Sequence, residues 1–154
     1  MKLKFMVAVM AAFAFVFSAC GSKDAGNKQL VLYYSQTGST KVVAEEIQKM
    51  LDADIELIEL ENPYTGTYAE TLERVKQERE SGNLPALKPL KADLSKYEVI
   101  YLGYPIWFGT YALPIASLIK DHDFEGKKIV TFCTFGSGDL ESALEDLKKA
   151  LPKA

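Results

Sequence analysis

The fold is read from Lys28-Gln29-Leu30-Val31-Leu32-Tyr33-Tyr34-Ser35-Gln36-Thr37-Gly38-Ser39-Thr40-Lys41. Gln29 to Tyr34 is a short apolar run rich in Leu, Val and Tyr, the composition of a strand buried on both faces. An amphipathic helix follows, with Val43, Ala44, Ile47, Met50 and Leu51 as its expected apolar face. Between strand and helix stand four hydroxyls and one glycine. Unpaired N–H groups and the positive end of a helix dipole converge at such a junction, which is a ready anion site. Two readings are open here: the loop holds the terminal phosphate of a ligand, or it is a polar turn with Ser39 or Thr40 as an ordinary N-cap.

Working outward, 154 residues with 48% hydrophobic and 25% charged side chains suit one compact domain with its own core. A net charge of −3 without a basic stripe argues against a nucleic-acid partner. Two cysteines, one near each end, give no disulfide framework. Residues 1–19 read as an export signal. Lys2 and Lys4 form a positive start, Phe5 to Phe17 is uncharged and apolar, and Ser18-Ala19-Cys20 follows. Small residues before that cysteine resemble a bacterial lipoprotein signal, which would leave Cys20 as the acylated N-terminus of a protein held at the cell envelope. The first position of the box is usually aliphatic, and here it is Phe17; a plain secretory signal is the other reading. Residues 20–27 would be a small polar tether, and 28–154 the domain.

Along that domain, Asp54 to Leu60 alternates apolar and acidic residues, as an edge strand with one solvated face does. Thr67 and Glu70 have the spacing of a capping box, opening a helix that carries Tyr68, Leu72 and Val75 inward. Tyr97 to Gly103 is a third strand and Tyr104 to Tyr111 a loop of aromatics and glycine. Leu113-Pro114 opens a helix to about Lys120. Lys128 to Thr134 is a fourth strand, Phe135 to Gly138 a tight loop, and Leu140, Leu144, Leu147 and Leu151 line a last helix. Alternating strands and helices imply an α/β fold, a three-layer, doubly wound parallel sheet. Its ligand belongs outside the strand C-terminal ends, where three glycine-bearing loops (35–40, 104–110 and 134–138) converge.

Those loops carry a resemblance. Ser35-Gln36-Thr37-Gly38-Ser39-Thr40 is similar to the FMN-phosphate loop of flavodoxins. Gly103-Tyr104-Pro105-Ile106-Trp107-Phe108-Gly109 resembles their second flavin loop, where a tryptophan commonly lies against the ring. Thr134-Phe135-Gly136-Ser137-Gly138 sits where the third belongs. Pro63-Tyr64 and the helix with Arg74 and Glu78 resemble a flavodoxin subgroup of anaerobic bacteria, some of them lipoproteins. The resemblance implies FMN as cofactor and an electron carrier or FMN-dependent oxidoreductase; the slot for the ring would have Trp107 on one face and Phe135, or the backbone around it, on the other. A redox protein or a small-molecule acceptor would be its partner. It also implies strand order 2-1-3-4-5, from which the fifth strand is missing here. A truncated binding module without flavin is the alternative function.

Other chemistries find no support. No Walker A pattern is present, and Gly136-Ser137-Gly138 lacks the third glycine of a dinucleotide fingerprint. A receiver domain would need acidic residues near Ser35 and Tyr104. His122, the single histidine, reads as a surface residue, and without a second histidine a zinc site or a Ser-His-Asp triad is unsupported. Cys133 reads as a small buried hydrophobe. The acidic runs at Glu45-Glu46 and Glu56 to Glu61 read as solvated faces.

Overall fold

The computed structural model describes residues 29–136 and 139–154. The expected export signal, the tether with Cys20, and Ser137 and Gly138 of the third loop lie outside the described residues. The elements in order are β1 (Gln29–Tyr33), α1 (Ser39–Leu51), β2 (Asp54–Leu57), α2 (Tyr68–Ser81), a 3-10 turn at Leu94–Lys96, β3 (Val99–Trp107), β4 (Thr110–Tyr111), α3 (Leu113–Asp121), β5 (Lys128–Thr134) and α4 (Leu140–Ala150).

Four strands run parallel in the order β2-β1-β3-β5, which is the expected doubly wound order, and β4 adds a short antiparallel partner to β3. Among the described residues β5 pairs with β3 alone. Leu30, Leu32, Ile100, Leu102 and Tyr104 fill one sheet face beneath Val75 of α2, Ile115 and Leu118 of α3, and Ala143 and Leu147 of α4. Val31 and Tyr33 fill the other face with Ala44 of α1. Helices therefore cover both faces, as a parallel sheet requires.

The expected helix faces hold only in part. In α1 the inward stripe is Thr40, Ala44, Ile47 and Leu51, spaced four, three and four residues apart, while Val43 is exposed and Met50 is 82% exposed. The helix touches the sheet along one narrow stripe that begins with a hydroxyl, so apolarity misplaced its face. The capping box at Thr67 and Glu70 forms, but Tyr68 points to solvent. Strand β2 stops at Leu57, and the chain from Glu59 then pairs with the returning segment: Lys88 N–H donates to Glu59 O at 2.9 Å, and Glu61 N–H to Ala86 O at 2.9 Å. Glu56 is not merely solvated, because its carboxylate accepts from the N–H groups of Lys91 and Ala92. Its apolar neighbours Ile55 and Leu57 are instead part-exposed beside α1.

The largest departure is in β3, which continues four residues beyond the expected end at Gly103. Proline is disfavoured within a central strand because it cannot donate to the ladder. Here β1 has already ended, its last residue Tyr33 pairing with Gly103, so Pro105 leaves no β1 acceptor without a donor. Its own carbonyl accepts from Ala112 N–H at 3.2 Å. The expected loop is thus a strand end plus a hairpin, turning at Phe108 (φ 52°) and Gly109 (φ 76°), with Trp107 opposite Thr110. Two consecutive left-handed residues match the twist of a two-residue hairpin, and Phe108 occupies one of them at a steric cost.

Candidate functional site

Loop 35–40 leaves the end of β1 and enters α1 through Gly38, a left-handed N-cap with no side-chain cap bond. Ser35 Oγ curls the loop by accepting from Gly38 N–H (3.1 Å) and Lys41 N–H (3.2 Å). The N–H groups of Thr37, Ser39 and Thr40 have no protein acceptor among the described residues, as expected of a helix start left for an outside anion. The Thr37 and Ser39 side chains are exposed, their hydroxyls 3.4 Å apart. The ordinary N-cap reading of Ser39 or Thr40 does not hold. Lys41, the nearby cation, pairs with Glu45 at 3.6 Å on the exposed side of α1.

Not every loop residue faces outward. Thr40 is 1% exposed, and its hydroxyl lies 2.8 Å from that of Thr134, tying the first loop to the third. Gln36 is a strut: its amide nitrogen donates to Tyr64 O (2.9 Å) and its oxygen accepts from Tyr34 OH (2.6 Å). Ile106 is buried in the core rather than lining the mouth. Pro105 is half-buried; Phe108 and Phe135 stand about half exposed, and Gly109 and Gly136 border open space.

Trp107 is half-buried. It stands edge-on to Tyr34 and Tyr64, with ring centroids 5.7 and 5.6 Å away. Behind it, Arg74 lies over the Tyr64 ring at 4.3 Å and donates to Glu78 (2.9 Å), Pro63 O and Asn62 O (3.0 Å each). Tyr64 OH donates to the other Glu78 oxygen at 2.6 Å. Burial raises the pKa of both tyrosines, and for Tyr64 the bond to Glu78 adds to it. Arg79 of α2 sits 5.3 Å from the Phe108 ring. The resemblance includes Pro63-Tyr64, Arg74 and Glu78 but gives this network no place behind Trp107. Arg74 and Glu78 are an i,i+4 pair on α2, while Pro63, Asn62 and Tyr64 join them from 11, 12 and 14 residues away in the chain.

His122 follows α3, away from the three loops, and burial pushes the half-buried Cys133 thiol up, away from reactivity. Among the described residues no group of three or more His, Cys, Asp and Glu could hold a metal, and no helix is long and apolar enough to cross a membrane.

Fold and loops together define a doubly wound α/β domain whose first strand opens into an uncapped helix start lined by hydroxyls, with the aromatic cluster of Tyr34, Tyr64 and Trp107 at the end of its third. Residues 28–154 match the flavodoxin family model, and the chain belongs to the flavodoxin family. A flavoprotein of Bacteroides eggerthii is 31% identical, with 81% of each chain covered and a TM-score of 0.74. One of Bacteroides uniformis is also 31% identical over 83% of this chain and 85% of its own, again at 0.74. A flavoprotein of Lactobacillus acidophilus, solved in complex with FMN, shares the fold at 22% identity, with coverage of 82% and 87% and a TM-score of 0.73. No curated sequence matches the chain.

Proposed function

We propose that this domain binds FMN across its three loops and transfers electrons while held at the bacterial cell envelope by a lipid on Cys20. The observation that carries the reading is the uncapped start of α1, with free N–H groups at Thr37, Ser39 and Thr40, in a loop that Gln36 ties to Tyr34 and Tyr64, the two residues whose rings flank Trp107. The FMN complex of the Lactobacillus flavoprotein, which shares the fold, supports it. The flavin would supply the electron chemistry, and the chain's part is to bind, orient and dry it. The free N–H groups and the exposed hydroxyls of Thr37 and Ser39 hold the phosphate with neutral donors. Trp107 lines one side of the ring; Phe108 and Phe135 stand at its rim. A redox protein or a small molecule exchanges electrons with it.

Replacing Thr37 with alanine removes a donor to a charged acceptor, worth about 1.5–3 kcal/mol, so the Kd for FMN rises roughly 10- to 150-fold. Riboflavin, which lacks the phosphate, binds far more weakly than FMN to the unaltered domain. Titration by flavin fluorescence checks both, and equal affinity for the two flavins overturns the phosphate assignment. A domain that stays colourless with excess FMN supports the flavin-free binding module instead.

Expressed in a bacterium, Cys20→Ser is expected to move the protein out of the membrane fraction or to arrest its processing. Unchanged processing and membrane association would rule out the lipid anchor.

A further inference from the structure

Trp107 is the one tryptophan of the chain, and two buried tyrosines meet it at nearly the same distance, Tyr34 at 5.7 Å and Tyr64 at 5.6 Å. They differ in what receives the phenolic hydrogen. Tyr34 donates to an amide, Gln36 Oε1, at 2.6 Å. Tyr64 donates at the same 2.6 Å to a carboxylate, Glu78 Oε2. The second oxygen of Glu78 is taken by Arg74 Nε at 2.9 Å, so each oxygen keeps its own partner. The Glu78 side chain is 15% exposed, which leaves little room for water to intervene.

A phenol that loses an electron becomes a very strong acid. Next to an oxidised indole, a tyrosine therefore gives up its electron readily only where a base stands ready for the proton. A primary amide is a poor base and an ionised carboxylate an adequate one. Arg74 sharpens the requirement. Its guanidinium lies 4.3 Å from the Tyr64 ring centroid, where a second positive charge on the ring would be repelled. Electron and proton must leave together.

We infer that Trp107, Tyr64 and Glu78 form a one-electron relay, in which Tyr64, and not Tyr34, re-reduces an oxidised Trp107 as its proton passes to Glu78. The oxidant is any species able to take one electron from an indole, such as an excited chromophore or a high-valent metal complex. It leaves Trp107 as a radical cation. One electron then moves from Tyr64 to Trp107, the Tyr64 O–H bond breaks, and a bond forms between that proton and Glu78 Oε2. The products are a neutral indole, a neutral Tyr64 radical and a protonated Glu78, with the summed charge of the three groups unchanged. An external one-electron reductant resets Tyr64, and the proton returns from Glu78. The relay draws oxidising equivalents from the wall of the candidate site into the α2 network.

The relay needs no bound flavin, so it is tested without one. Ruthenium tris-bipyridine and persulfate under a laser flash oxidise the single indole, and transient absorption follows its radical. In the unaltered domain the indole radical is expected to decay into a tyrosyl radical, more slowly in deuterated water. Tyr64→Phe and Glu78→Gln should each prolong the indole radical by about tenfold or more, while Tyr34→Phe leaves its lifetime unchanged. Equal lifetimes in the unaltered domain and Tyr64→Phe overturn the relay, as does an effect seen only in Tyr34→Phe. A normal lifetime in Glu78→Gln removes Glu78 as the base. The isotope effect uses the unaltered protein, so poor folding of a variant cannot mask the answer; its absence also counts against the relay. Failure to bind FMN would leave this result standing.

Discussion

Trp107→Ala is expected to lower the stability of the domain by about 3 kcal/mol and to weaken FMN binding by roughly 1–3 kcal/mol. The stability cost sits at the lower end of the ~3–5 kcal/mol typical of Trp→Ala, because the indole is only half-buried. What is lost is its edge-on packing against Tyr34 and Tyr64, which leaves a gap between two rings otherwise fixed by hydrogen bonds. The affinity cost is the sum of lost ring contact, about 0.5–1.5 kcal/mol, and lost apolar burial. Urea unfolding and FMN titration read the two effects separately. Phe124→Ala serves as the control: Phe124 is 3% exposed in the core and outside the loops, so it should cost stability and spare the affinity of the folded domain. FMN affinity and flavin quenching unchanged in Trp107→Ala would place the flavin elsewhere.

Gly103→Val is expected to cost about 3 kcal/mol, the upper end of the ~1–3 kcal/mol that overpacking usually costs. Gly103 leaves room for a neighbouring ring. It lies opposite Phe132 in the β3–β5 register, and a Cβ built at Gly103 would collide with the edge of the Phe132 ring. Since the ring is half-buried it can swing aside, and its lost burial on the α1 face adds to the cost. Shortening the ring should therefore relieve the glycine substitution. A double-mutant cycle with Phe132→Ala is expected to show a favourable coupling of about 1 kcal/mol or more. Additive costs would mean that the two positions do not compete for space.

The parallel sheet and its helical cover are legible because they follow from alternation: each apolar run is bounded by polar turn residues, and each helix pattern follows a strand. The strand order comes from the family resemblance that the loops carry, not from the alternation. The limits of β3 are not legible. Pro105 argues against a strand wherever both neighbours are present, and nothing local tells that β1 stops beside Gly103. Apolar character alone points Met50 and Tyr68 inward, yet both are exposed, while the hydroxyl of Thr40 begins the buried stripe of α1. Within the candidate site, residue identity marked the loops but not the direction of each side chain. Gln36 turned out to be committed to Tyr34 and Tyr64, Thr40 to Thr134, and Ile106 to the core. Such commitments depend on partners 28 and 94 residues away, which short-range patterns cannot see.

Because β1 ends opposite Gly103 while β3 runs on to Trp107, the last four residues of β3 form a jetty, roughly 13 Å long at 3.3 Å per residue. Landward of Gly103, the strand is flanked by β1 and β5 and packed on both faces, so changes there fall on folding. Seaward of it, β1 is gone, and support comes from β5 as far as Pro105, from the two pairs with β4 and from the edges of two tyrosine rings. Along the jetty the side chains alternate: Tyr104 and Ile106 reach into the core and stay bound to the fold, while Pro105 and Trp107 are part-exposed. The outer end of one strand thus carries two inheritances in alternation, a face that anchors it and a face turned to whatever is moored there.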